Sequence, residues 1–316
     1  MLEWYPNVVS DEALKGLKKY KYSAVDLSPI SKYILSPYWT WAATLFPIWM
    51  APNLITLTGF FFVLFNFICM FVFIPDMETA GPSWCYFSFG IGLFLYSTFD
   101  NVDGKQARRT NSSSPLGELF DHGVDALNCT TGALIQCAGL GLGLGNYAFL
   151  TLAVVSSAFF FSTWETFYTG TLFLGEFNGP TEGLLITISC LFLSGYFGPQ
   201  IWKTEVASIL PFLKDFIGQV NFGQALILFA IFTLIVYQIP FNAKRAVQAC
   251  EEKKIDPSEA FVNAVNYLIY VGAAALWFYT PESVIIPKNT IVFLLAFGIG
   301  VARLNAMIVL AHVTHT

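Results

Sequence analysis

Apolar stretches close to twenty residues long recur along most of the chain, separated by short clusters of Gly, Pro, Asn or charged residues. Runs of that length cross the hydrocarbon core as helices, because lipid offers backbone N–H and C=O groups no partner. The pattern predicts eight spanning helices, near 52–74, 84–104, 116–139, 146–173, 181–201, 221–243, 259–280 and 288–312. A transmembrane barrel would instead alternate apolar and polar residues over segments of about ten, and no such alternation is present. The expected fold class is all-α, a polytopic membrane helical bundle. Ahead of the first span, "SKYILSPYWTWAATLFPIW" is short, aromatic and interrupted by Pro37. It predicts an N-terminal interfacial amphipathic helix, with Tyr38, Trp39, Trp41 and Trp49 at headgroup level. Two regions follow from this reading: a cytosolic N-terminus with the interfacial helix over 1–51, and a transmembrane domain over 52–316.

Composition narrows the class. Of 316 residues, 55% are hydrophobic and 12% charged, against about 25% charged in an ordinary soluble domain. Mean hydropathy is +0.60. The net charge of −5 comes largely from acids inside apolar segments, so it is no solvated acidic face. No basic patch interleaved with aromatics points to nucleic acid. The six cysteines are scattered through apolar runs without CxxC spacing, as small buried residues would be. The first 30 residues are polar and lack the apolar core of a cleavable signal.

Lys and Arg placement sets the expected orientation. With the N-terminus cytosolic, Lys15, Lys18, Lys19, Lys21, Lys32, Lys105, Arg108, Arg109, Lys244, Arg245, Lys253 and Lys254 share one side. Only Lys203, Lys214 and Lys288 fall on the other, and Arg303 lies inside the last span. The stretch "AKRAVQACEEKKIDPSE" reads as a solvated cytosolic connector.

Against this background "FDNVDGKQARRTNSSSPLGELFDHGVDALN" concentrates four aspartates. Asp100 and Asp103 are three apart at the end of the second span; Asp121 and Asp125 are four apart at the start of the third. Both spacings place a pair on one helical face, and the short polar "RRTNSSSPLG" predicts antiparallel neighbours whose carboxylates converge. An acid within a spanning helix costs roughly 2.5–3.5 kcal/mol on insertion scales, so four near the boundary need a cationic partner. Arg108 and Arg109 could form a structural ion-pair network with them. Alternatively, carboxylates without a Cys or His cluster favour the hard cations Mg²⁺ or Mn²⁺, and four of them could hold two ions for in-line phosphoryl displacement. Gly104 and Ala107 make one smooth patch beside the acids, Gly117 sits one turn before Asp121, and Arg108 offers a fork for phosphate.

The spacing D-x2-D-G-x2-A-R-x8-G-x3-D-x3-D, met at Asp100, Asp103, Gly104, Ala107, Arg108, Gly117, Asp121 and Asp125, resembles the CDP-alcohol phosphotransferase signature. With "APNLITLTG" in the first span and "GPTEG" before the fifth, the chain is similar to the eukaryotic choline/ethanolamine phosphotransferases over roughly 12–312. The resemblance implies a helical bundle with a pocket open to the cytosol. Two divalent metals, Mg²⁺ or Mn²⁺, are then held by Asp100, Asp103, Asp121 and Asp125. Gly104, Ala107 and Gly117 make room for the cytidine diphosphate, and Arg108 contacts phosphate. Asn53 in "PNLIT" matches a family position near the nucleotide; a buried interhelical hydrogen bond is its other reading. The implied partners are CDP-choline or CDP-ethanolamine, diacylglycerol and membrane lipids, with no nucleic acid. A homodimer in the endoplasmic reticulum or Golgi membrane, its active site cytosolic, is also implied. Eukaryotic relatives carry about two more spanning helices, ten in all, which this chain is expected to lack.

The implied reaction is attack of the diacylglycerol hydroxyl on the β-phosphate, with CMP leaving. The hydroxyl proton goes to His122 or to Asp125. A histidine titrates near neutrality, which favours His122. Its orienting carboxylate is Glu182 in "GPTEG", with Glu118 and Glu165 as alternatives. A CDP-diacylglycerol-dependent phosphatidyltransferase shares the motif, and an intramembrane-acid cation transporter would be a different class of answer.

Overall fold

A computed structural model describes residues 10–280 and 288–314. Eight long helical segments correspond to the eight expected spans. They are α3 (Pro52–Phe73), α4 (Ser83–Arg109), α5 (Pro115–Leu140), α6 (Asn146–Thr169), Gly179–Phe197 with α7 (Leu184–Phe197), Phe222–Lys253, α12 (Pro257–Tyr279) and α13 (Thr290–Thr314). Phe222–Lys253 contains α10 (Phe222–Thr233) and α11 (Ile239–Lys253); α1 (Asp11–Gly16), α2 (Ser36–Leu45), α8 (Val206–Ile209) and α9 (Lys214–Ile217) are shorter. Six of the eight are long and apolar enough to cross a membrane. The other two, α4 and α5, are as long but carry the acidic cluster where they meet. The chain is thus an all-α, multi-pass membrane protein; among the described residues two three-residue strands, β1 (Ala24–Asp26) and β2 (Leu172–Leu174), pair in parallel.

Helix ends follow local chemistry. Proline opens α3, α5 and α12, where its missing N–H has no intrahelical partner to lose. The α4–α5 turn uses Asn111 at φ 53°, a conformation asparagine tolerates. Ser114 then caps α5 by accepting from the Gly117 N–H at 3.1 Å.

α5 sits centrally, packed against α3, α6, α7 and α13. Close approach depends on glycine in two places. A Cβ on Gly298 of α13 would fall 2.2 Å from Thr130 Oγ1 of α5, and one on Gly139 of α5 would fall 2.2 Å from a Leu191 methyl of α7. The core runs through Met70, Phe89, Leu134, Phe149, Trp164, Tyr267 and Phe297. The six cysteines are free, five of them buried.

The interfacial segment is helical, but Pro37 does not break it. A π turn over Ser31–Leu35 precedes α2 and widens the helix just before the ring. Trp39, Ala42 and Ala43 pack on Ile55 and Val102, while Trp41, Leu45, Ile48 and Trp49 stay exposed. The expected solvated connector after the sixth span also differs: α11 runs helical to Lys253, with Ala246, Ala249 and Cys250 buried. Its Ala, Arg, Gln, Glu and Lys content favours helix.

Candidate active site

The C-terminal end of α4 and the first turns of α5 bring all four aspartates together. Asp100 lies within hydrogen-bonding reach of Asp121 and Asp125, and Asp103 within reach of Asp121. The helices touch each other little; both pack on α3. That third helix supplies Thr56, whose hydroxyl donates to Asp103 Oδ2. Across α4, the Tyr96 hydroxyl donates to Asp125 Oδ1 at 2.5 Å. Neither residue was expected from sequence. Thr56 is one turn beyond Asn53 and Tyr96 one turn before Asp100, so helical spacing from motif residues is the signal that finds them.

Two carboxylate oxygens, Asp100 Oδ1 and Asp121 Oδ1, are buried with no hydrogen-bond partner. Of the described ion pairs none joins Arg108 or Arg109 to an aspartate. Arg109 instead turns toward α2, donating to the Ala43 and Phe46 carbonyls, and Arg108 is exposed beside Gly104. The structural ion-pair network is therefore not what balances this cluster. Buried, unpartnered carboxylate oxygens fit a cation between the helices. Ligand atoms of Asp121, His122 and Asp125 lie within 4.8 Å of one another, a grouping that could hold a metal ion.

His122 is 9% exposed. Its Nδ1 has no hydrogen bond and lies 3.9 Å from Asp121 Oδ2, with the Phe159 ring 6.2 Å away. Glu182 makes its described hydrogen bonds to other residues. One Glu182 oxygen accepts from the Ser28 hydroxyl, the other from the Asn178 N–H at 2.8 Å. Glu165 pairs with Arg245 and Glu118 faces His312 of α13 at 3.7 Å. Of the residues expected beside the nucleotide, Gly117 and Asn53 meet: a Cβ on Gly117 would sit 3.7 Å from Asn53 Oδ1. Gly104, Ala107 and Arg108 line the same end of α4.

The N-terminal segment crosses this mouth. β1 pairs with β2, the Thr171 hydroxyl donates to Ser23 Oγ at 3.0 Å, and Tyr20 meets His312 edge-on. Tyr22 is half-exposed as a residue. Desolvation of its hydroxyl, then the charges of Asp121 and Asp100, push the phenol up to about 12, so it remains protonated at neutral pH.

A protein-family model described as CDP-alcohol phosphatidyltransferase matches residues 49–209, the span holding the whole cluster. The chain belongs to the CDP-alcohol phosphatidyltransferase family. Among curated relatives of this phosphatidyltransferase-family chain, the Saccharomyces cerevisiae "Choline/ethanolaminephosphotransferase 1" is 37% identical, covering 97% of the chain and 79% of the yeast protein. The Arabidopsis thaliana "Choline/ethanolaminephosphotransferase 1" is 35% identical, covering 96% and 78%. The human "Ethanolaminephosphotransferase 1" is 34% identical, covering 98% and 78%. Membership makes this family chain a transferase of lipid synthesis, and its Asp/His group fits a metal site.

Proposed function

We propose that the protein transfers phosphocholine, phosphoethanolamine or both from CDP-choline or CDP-ethanolamine to diacylglycerol, forming the phosphatidyl product and CMP. The carrying observation is the pair of buried, unpartnered oxygens on Asp100 and Asp121, set inside an intact eight-residue motif at one end of a membrane bundle. Asp100, Asp103, Asp121 and Asp125 would hold two divalent ions, Mg²⁺ or Mn²⁺. Ions held there would supply positive charge for the diphosphate and for the departing CMP. Thr56 and Tyr96 hold Asp103 and Asp125 in place. Arg108 binds phosphate, while Gly104, Ala107, Gly117 and Asn53 give the nucleotide room. His122 takes the hydroxyl proton, because its Nδ1 is buried and not hydrogen-bonded whereas Asp125 already accepts from Tyr96. Asp125 is the second candidate. Glu182 would orient His122 only once its bond to Ser28 opens.

Residues 1–51 form a cytosolic cap in this reading and 52–316 the membrane unit. The enzyme works as a homodimer in the endoplasmic reticulum or Golgi membrane, with its mouth on the cytosolic face. The test uses purified protein with labelled CDP-choline, CDP-ethanolamine or CDP-diacylglycerol. Metal-dependent CMP release with diacylglycerol as acceptor is expected from the first two. Turnover from CDP-diacylglycerol alone would sink the substrate assignment. His122→Ala should abolish turnover while CDP-choline still binds; loss of binding as well refutes the base. Asp103→Ala should lose metal-dependent nucleotide binding.

A further inference from the structure

Glu118 has a place in the site that the phosphoryl chemistry does not use. It lies three, four and seven residues before Asp121, His122 and Asp125, on the same face of α5. Its side chain is 7% exposed, one oxygen has no hydrogen-bond partner, and its one ion-pair partner among the described residues is His312, 3.7 Å away on α13. The Tyr20 ring meets His312 edge-on, with centroids 6.3 Å apart. A carboxylate, an imidazole and a phenol ring from three separated parts of the chain thus form a corner one helical turn from the metal-side aspartates.

We propose that this corner binds the cationic head group of the CDP-alcohol, with Glu118 as its counter-ion and Tyr20 and His312 as its aromatic walls. The inference rests on the donor assignment under Proposed function. The donor carries negative charge on its diphosphate, which Arg108 and cations held by the aspartates would balance, and one positive charge on its amine, for which Glu118 is a buried carboxylate outside that set. A divalent metal does not suit the corner, since one carboxylate and one imidazole are too few ligands for a hard cation. An ammonium suits it: one carboxylate balances the charge and ring faces take the methyl groups. The reach fits as well. Three residues of helix rise by about 4.5 Å, comparable to the two-carbon separation of phosphate and amine. The unpartnered Glu118 oxygen is then the one awaiting the ligand.

The experiment compares donors differing in head-group charge on full-length protein in lipid nanodiscs: CDP-choline and CDP-ethanolamine against neutral CDP-glycerol, with CMP as a head-group-free control. Glu118→Gln keeps the shape and removes the charge. It should weaken CDP-choline and CDP-ethanolamine at least tenfold while CDP-glycerol and CMP stay within twofold of the parent protein. Equal weakening of all four, or of none, overturns the inference. Tyr20→Leu, on the surface strap, provides a second reading if the first variant does not fold. It should weaken CDP-choline more than CDP-glycerol, and an equal effect on both counts against the corner. Failure of the parent protein to use either charged donor would overturn the function itself; normal turnover with charge-blind variants would overturn the corner alone.

Discussion

Two hydroxyls fix the carboxylates that matter most. Thr56 donates to Asp103 and Tyr96 to Asp125, so each acid is held by a helix other than the one it shares with its sequence partner, or by its opposite number across the cluster. Hydrogen bonds from such outer partners orient metal-binding carboxylates, and losing one typically costs 10–100-fold in metal affinity. Tyr96→Phe should therefore raise the Mg²⁺ concentration for half-maximal activity by about tenfold, with maximal rate recovered at high Mg²⁺. An unchanged metal titration would show that the phenol serves packing only. Gly104, Ala107, Arg108 and Gly117 came with the family resemblance; the four aspartates were readable because carboxylates are costly in lipid and their spacing is helical. Thr56 and Tyr96 were not, since a hydroxyl on an apolar helix is cheap and common. Glu182 was read as the carboxylate that orients His122; its hydrogen bond from Ser28, 154 positions away, was not legible. No spacing rule carries that distance.

Among the elements, α11 shows how far local propensity outruns a loop reading. Its N-terminal approach passes Pro240 through a π turn over Leu234–Gln238, repeating the arrangement before Pro37. The extra residue per turn relieves the ring's clash with the preceding carbonyl, so the helix continues past both prolines. Arg245 is one tie between α11 and α6, beside the Lys253 ammonium that donates to the Tyr168 carbonyl. Its guanidinium donates to Glu165 at 2.5 Å and lies 3.8 Å from the centre of the Phe173 ring. The Glu165 side chain is 1% exposed and its second oxygen has no partner. Removing the arginine strands a buried carboxylate, a loss of about 3 kcal/mol. Arg245→Ala should lower the melting temperature in detergent by several degrees, and Glu165→Leu with Arg245→Leu should regain most of it. A melting temperature unmoved by Arg245→Ala would mean solvent already screens the pair.

For the whole molecule, the mouth of the site gathers both the beginning and the end of the described chain. Gly16 lies against the Thr314 carbonyl, Tyr20 against His312, β1 against β2 and Ser28 against Glu182. Helix number and order could be read from hydropathy because each span must satisfy its own backbone. This strap could not, since each of its contacts joins residues far apart in sequence. The proposed cytosolic placement of this strap rests on the twelve Lys and Arg residues that the span order gathers at that end. Asn111-Ser112-Ser113, in the α4–α5 turn beside the aspartates, is by sequence a glycosylation acceptor. In microsomal membranes it should remain unmodified, while an acceptor placed in the turn after α9, near Gly218, should gain a glycan. A glycan on Asn111 would put the carboxylates on the lumenal face, where a soluble nucleotide donor made in the cytosol would have no access. The orientation and the proposed substrate therefore stand or fall on the same measurement, because a charged diphosphate does not cross the bilayer to reach its site.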